Sequence, residues 1–269
     1  MGMIRVSRTS GVRPERRGRG RPVGIELVLV DFDDTLVDTS PRFQNARRAL
    51  FEILAGEGFD PARARHVHHH EVDPEMIARH GLGPFRLEPA FRETYLRLCA
   101  AAGRTPDPRV LAECVALARD VVGPPPCFDG AIEALARLAG ERETVVYTQA
   151  GDAAYQLACI RAAGVLDILP PDRVRICREK TPAEFRRTLA RYGVADPALA
   201  CMVGNSVRAD VNPALSVGAH AILVDVSDPW EFDLVEPVSP DFIRVEHFPA
   251  AVDLLLGSGP DRALSSENP

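Results

Sequence analysis

Asp31, Asp33 and Asp34 fall within four residues of one another, directly after the apolar run Leu27-Val28-Leu29-Val30. Two carboxylates spaced two apart are suited to flank one reacting group, one attacking as a nucleophile and the other moving a proton. So much negative charge in one turn repels itself, and a bound divalent cation is the usual way to offset that cost. A solvated acidic turn would explain one such Asp, but further chemistry-bearing residues recur downstream. Lys180 is the only lysine in a chain whose Lys plus Arg count is 32. A compositional bias explains the many arginines without explaining this exception. A compact ammonium on a flexible stem fits a site that grips one oxygen and one carboxylate, where a planar guanidinium fork does not.

These residues need elements that bring them together. Leu27 to Val30 reads as a buried strand ending on Asp31, and Thr144-Val145-Val146-Tyr147 as a strand ending on Thr148. Val174 to Cys177 leads to Lys180, and Leu199 to Val203 leads to Gly204-Asn205-Ser206 and Asp210. Strands whose carboxyl ends all carry polar groups point to an open α/β sheet, where ligands bind at that edge. Ala219 to Val226 and Phe242 to Val245 supply further strand patterns, and Pro249 to Leu256 an apolar helix. A strand-ending Thr is common, so Thr148 alone is a weak signal.

The set Asp31-x-Asp33-x-Thr35, Thr148, Lys180 and Asn205 to Asp210 resembles, in order, the four motifs of the haloacid dehalogenase superfamily of phosphotransferases and phosphatases. The resemblance spans Ile25 to Val245. It implies a Rossmann-like parallel sheet with helices on both faces and an inserted all-helical cap. It also implies that Asp31 attacks phosphorus to form an aspartyl phosphate, while Asp33 serves as general acid and base. Thr148, with the backbone N–H groups of Gln149 and Ala150, would bind a non-bridging phosphate oxygen beside Lys180. Mg²⁺ is the implied cofactor, held by the Asp31 carboxylate, the Asp33 carbonyl and Asp210. Asn205 stands where many members carry Asp; it keeps an acceptor for a metal-bound water but removes one charge, which implies weaker metal binding. Asp33 argues against a dehalogenase, which lacks that acid, and the absence of a cap lysine argues against carbon–phosphorus cleavage. A phosphomutase and a non-catalytic regulator binding phosphoryl compounds are the alternatives to a phosphatase.

The expected organisation is a disordered arginine-rich tail over 1–23, an α/β core over 24–38 and 124–257, a helical cap over 39–123 and a disordered tail over 258–269. Helical spacing in the cap runs over Phe43 to Ala55, Pro61 to His80, Leu87 to Ala102 and Pro108 to Val122. Gly123-Pro124-Pro125-Pro126 reads as the returning hinge. In the cap, Arg79, His80 and Arg86 flank a Gly-rich turn and are the candidates to bind a substrate's distal oxygens. The run His66-Val67-His68-His69-His70 would put His66 and His70 on one helical face, as it would His69 and Asp73. That is a conceivable zinc or nickel geometry, although a solvated or substrate-facing helix explains it too. Trp230 and Glu231 lie in a loop after the fifth strand, read as a packed aromatic anchor.

The chain of 269 residues, 46% hydrophobic, can bury a sizeable core. No apolar stretch approaches the length of a membrane span, which argues against the ion-pumping relatives. The six cysteines form no CxxC pair and read as reduced core thiols of a cytoplasmic protein. The first 22 residues carry seven arginines against one glutamate, while the whole chain is at −6. That segment reads as a solvated basic tail without the apolar centre of a secretory signal. The expected partner is a small phosphorylated metabolite, with no membrane, no nucleic acid and no indication of oligomeric state.

Overall fold

The computed structural model describes residues 24–226 and 235–257. Both expected tails, and the pair Trp230 and Glu231, lie outside the described residues. Six strands form one sheet: β1 (Leu27–Val30), β2 (Glu143–Gln149), β3 (Val174–Cys177), β4 (Ala200–Gly204), β5 (His220–Val224) and β6 (Ile243–Val245). Their order is β3-β2-β1-β4-β5-β6, with every neighbouring pair parallel. β1 therefore lies inside the sheet, and its four residues are all buried, as a continuous apolar run in a parallel sheet requires. The strand order changes direction beside β1, which opens a crevice at its carboxyl end.

Ten α-helices complete the described chain. α1 (Ser40–Gly56), α2 (Pro61–His66), α3 (Asp73–His80), α4 (Leu87–Ala101) and α5 (Pro108–Ala116) follow β1, and α6 (Ala131–Glu141) leads into β2. α7 (Ala153–Ala162), α8 (Pro182–Arg191), α9 (Asn212–Val217) and α10 (Phe248–Leu256) come after β2, β3, β4 and β6. Alternation along β1 assigns the two faces. Val28 and Val30 pack with Leu135 of α6, Ile160 of α7 and Val252 of α10. Leu27 and Leu29 pack with Phe185 and Leu189 of α8 and Ala214 of α9. The fold is thus α/β, Rossmann-like, with helices on both faces.

α1 to α5 close a separate apolar cluster that includes Leu50, Leu54, Phe91, Tyr95 and Leu98. Burying side chains of that size supplies the insert with cohesion of its own, since truncating a core Phe costs about 3–5 kcal/mol. Asp60 and Asp107 start α2 and α5 by accepting the N–H of Arg63 and Arg109. Two expected helices differ from the pattern. The segment from Pro61 to His80 widens into a π turn over Val67–Val72, next to Pro74, whose missing N–H breaks the α ladder. The last one stops at Ala116, and Arg119–Val121 forms a short 3₁₀ turn instead.

The insert touches the sheet's active edge through backbone alone at one point. Gly151 N–H donates to Leu82 O at 2.7 Å, and a Cβ on Gly81 would lie 2.5 Å from Gly151 Cα. Gly81, at φ +75°, and Gly151 are both required to be glycine by this approach.

Candidate active site

Asp31 leaves β1 at the carboxyl edge and is 8% exposed. Its Oδ1 accepts the Phe32 N–H at 2.8 Å and Lys180 Nζ at 2.7 Å. The same ammonium donates to Asp210 Oδ1 at 2.6 Å, so one cation ties together the ends of three strands. Lys180 is set there by α8, which begins immediately after it: Thr181 accepts the Glu184 N–H in a Thr-x-x-Glu start. Asp210 sits in a second π turn, Val207–Val211, and its Oδ2 accepts the Ser206 N–H at 3.0 Å. Any side chain at Gly204 would collide with that carboxylate, so glycine ends β4 for steric reasons. Burial, then the Asp210 charge, push the Asp31 carboxyl well above the usual range against the pull of Lys180. Burial disfavours the Lys180 ammonium, but Asp210 and Asp31 outweigh it and hold its pKa above the ordinary lysine value.

Asp33 is held from both sides. Thr39 Oγ1 donates to its Oδ1 and Gln156 Nε2 to its Oδ2, each at 2.6 Å. Gln156 also donates to Thr148 Oγ1 at 3.0 Å, which links the ends of β1 and β2 through α7. Gln156 and Thr39 were not legible as site residues, because neither lies in a motif and α7 carries no pattern that orients it. Asp34 does something else. At φ +54° it turns its carboxylate onto the Thr39 and Ser40 N–H groups and the Ser40 hydroxyl, capping α1. Thr35 Oγ1 donates to Asn205 Oδ1 at 3.4 Å. The Ala150 N–H, expected on the phosphate, donates to Cys177 O at 2.9 Å instead, whereas Gln149 lines the cavity and its Oε1 accepts the Lys180 N–H.

A cavity of about 180 Å³ opens above Asp31, Asp33, Thr148, Lys180 and Asn205. The insert supplies its other wall, including Arg42, Phe43, Arg47, Leu82 and Arg86. Of the three expected specificity residues, only Arg86 is in that wall. Arg79 and His80 are exposed, and Arg79 pairs with Glu75 at 3.7 Å, because the Gly81 turn carries the chain inward only after them. Arg86 is 3% exposed and meets Asp73 at 3.1 Å; Arg47 meets the same carboxylate at 3.4 Å.

The histidine run forms a solvated face only in part, through His66 and His70, which are exposed. His68 is fully buried and its Nδ1 pairs with Thr94 Oγ1 at 3.1 Å. His66 and His70 do stack, with ring centroids 5.1 Å apart. Among the described residues no three His, Cys, Asp or Glu side chains converge as a metal cage, so the zinc or nickel geometry is not formed there. Mg²⁺ asks for less protein, since it is bound through one or two carboxylates and keeps waters. Asp31 and Asp210, both aimed at the same Lys180 nitrogen, offer that all-oxygen set. Five of the six cysteines are buried free thiols, but Cys127 is exposed, which corrects its reading as a core thiol.

The haloacid dehalogenase-like hydrolase family, described as a hydrolase, matches this chain over residues 25–218. Haloacid dehalogenase-like hydrolase domain-containing protein 3 of Mus musculus is 35% identical over 86 residues, covering 31% of this chain. That match spans 34% of the mouse protein's own length. A haloacid dehalogenase-like family hydrolase from Xanthomonas campestris superposes with a TM-score of 0.67 at 25% identity, over 87% of this chain and 97% of its own. The 2-haloacid dehalogenase of Pseudomonas syringae pv. Tomato DC3000 shares the fold at a TM-score of 0.51 and 22% identity, over 87% of this chain and all of its own.

Proposed function

The chain belongs to the haloacid dehalogenase-like hydrolase family, and from that premise we propose that it is a Mg²⁺-dependent phosphatase that hydrolyses a small phosphomonoester. The observation that carries this reading is Asp33. A second acid, two residues from the nucleophile and clamped by Thr39 and Gln156 at the cavity, is useful for protonating an alkoxide and serves no purpose for a halide. Asp31 Oδ1 is engaged by Phe32 and Lys180, which leaves Oδ2 to attack phosphorus. The ester oxygen departs with the proton of Asp33, giving an alcohol and an aspartyl phosphate on Asp31. Asp33 then takes a proton from water as its oxygen attacks the phosphorus, releasing phosphate and regenerating both carboxyl groups. Lys180 and the Thr148 hydroxyl hold the non-bridging oxygens as charge shifts onto them. Mg²⁺, held by Asp31, Asp210 and the Asp33 carbonyl with Asn205 beside them, would neutralise phosphoryl charge.

The helices α1 to α5 act as a cap in this reading, excluding water through the Gly81–Gly151 contact and choosing the substrate by the wall they present. The protein works in the cytoplasm on a small phosphorylated metabolite, without nucleic acid or membrane. Among the described residues no helix is long and apolar enough to cross a membrane.

The test is turnover of a panel of small phosphate esters with Mg²⁺ or chelator. Asp31→Asn is expected to lower it by at least about 10³-fold, as removal of a covalent nucleophile does. Asp31→Asn protein that keeps wild-type turnover would overturn the reading, as would Mg²⁺-dependent halide release from a haloacid without ester hydrolysis.

A further inference from the structure

Two guanidiniums meet at one buried carboxylate in the helical wall of the cavity. Arg47 of α1 and Arg86, just before α4, are 8% and 3% exposed, and Asp73 is 2% exposed. Both guanidiniums also lie against the Phe43 ring, at 6.0 and 5.7 Å from its centroid. Arg47, Phe43 and Arg86 line the cavity that holds Asp31, and Asp73 does not; the carboxylate grips the two cations from the side away from the cavity. The three groups together carry one positive charge. Arg42, in the same wall, adds another: its NH1 donates to Gly123 O, while its Nε is buried with no hydrogen-bond partner.

Cations this deeply buried are costly unless something negative meets them. Burial pushes Arg86 down to about 10, against the pull of Asp73 and with the repulsion of Arg47 added. At neutral pH it is charged all the same. A buried structural triad would bring Arg47, Asp73 and Arg86 together, but it gives no reason for both guanidiniums to border the reaction cavity. An anion entering that cavity gives one, since planar guanidiniums bind carboxylate and phosphate oxygens in fork geometry.

We propose that the substrate is a phosphomonoester whose far end carries a second oxyanion, a carboxylate or another phosphate, seated on Arg47 and Arg86. This rests on the phosphatase reading for the ester end, with the transferable phosphate at Asp31 and Lys180. The cavity of about 180 Å³ suits a substrate of small-metabolite size.

The test uses non-hydrolysable probes, so it does not depend on turnover. Calorimetric affinities of the wild-type protein with Mg²⁺ are compared for carboxyethylphosphonate, ethylenebisphosphonate and propylphosphonate, which share a short spacer and differ at the far end. One of the two probes with an anionic group at each end is expected to bind roughly 100-fold more tightly than propylphosphonate, the scale of a buried charge-assisted contact. Which of the two leads tells carboxylate from phosphate. In Arg47→Gln and Arg86→Gln the preference is expected to shrink by about tenfold or more, and Arg86→Lys serves if the glutamine variant does not fold. Equal affinity for all three probes in the wild-type protein would overturn the proposal whatever the variants do. A probe preference without hydrolysis of any matching phosphate ester would keep the anion seat and reject the phosphatase. Ester hydrolysis without probe preference would do the reverse.

Discussion

Lys180 lies between two carboxylates, and Asp73 lies between two guanidiniums. The first trio, Asp31-Lys180-Asp210, is built on strand ends and sums to one negative charge; the second, Arg47-Asp73-Arg86, is built on helices and sums to one positive charge. Each aspartate in the pair Asp210 and Asp73 lies in or directly after a π turn, Val207–Val211 and Val67–Val72. A widened turn shifts which side chain faces inward without ending the helix, and such turns gather at functional sites. The difference between the trios is instructive. In the proposed phosphatase reading, the sheet-edge trio has its extra negative charge where a cation and a phosphoryl group would be handled, and the helical trio has its extra positive charge where the rest of the proposed substrate would sit.

Breaking each trio at its centre gives the largest expected effects. Lys180→Met leaves Asp31 and Asp210 buried without their common partner and is expected to cost about 3–5 kcal/mol in metal-free protein, along with nearly all turnover. Added Mg²⁺ recovers much of the melting temperature and none of the activity. Asp73→Asn leaves two buried guanidiniums repelling each other, at a similar cost of about 3 kcal/mol. Here the recovering ion is phosphate, compared with chloride at matched ionic strength by thermal melting. If Mg²⁺ rescued both variants, or phosphate both, the two trios would not have opposite ionic preferences.

A smaller effect sharpens the sheet-edge side. Gln156→Leu removes the donor shared by Asp33 and Thr148 and is expected to lower kcat by about 10–100-fold with little change in KM, a part of the roughly 10²–10⁴-fold that general acid–base catalysis supplies. The split between kcat and KM is the decisive readout, because a group that orients Asp33 acts on the chemical step and not on substrate binding. A fall in activity matched by a proportionate loss of folded protein would make Gln156 only a packing residue.

The two sides also differ in how far they could be read from the sequence. Asp31, Lys180 and Asp210 follow strands and Thr148 lies at the end of one, so continuous apolar runs and the parallel sheet locate them together. Gln156 was hidden since α7 follows a loop and its contact with Asp33 spans 123 residues. The helical wall was legible as helices and not as a surface. Arg79, His80 and Arg86 are close in sequence, yet the turn at Gly81 and Gly83 faces only the last of them inward. The pairing of Arg47 with Arg86 on Asp73 depends on the packing of three helical elements, and helical periodicity assigns a face without saying what it meets. The π turn had a local cause in Pro74, but its effect on His68 is a matter of register that an α-helical pattern misplaces.

His68 gives the smallest expected effect, and it tests whether the helical side is as cationic as its residues imply. Thr94 Oγ1 donates to Ala90 O, so His68 donates through Nδ1–H, and its Nε2 is buried with no hydrogen-bond partner. Phe51 and Phe91 pack on the ring. Burial, then the charges of Arg47, His69 and Arg86, push its pKa well below the usual 6.5. As pH falls past that value the unfolded chain takes up this proton and the native protein does not, so stability declines with acidification. The slope approaches about 1.4 kcal/mol per pH unit for one site and levels off once the native imidazole is protonated. His68→Asn keeps a donor for Thr94 and cannot titrate, so urea unfolding across this window is expected to lose one site's worth of slope, whatever the variant's absolute stability. Repeating the experiment with a saturating probe that has an anionic group at each end sharpens it. An anion on Arg47 and Arg86 offsets the charges that repel a proton from His68, which raises its native pKa and flattens the wild-type slope, whereas propylphosphonate leaves the slope as it was.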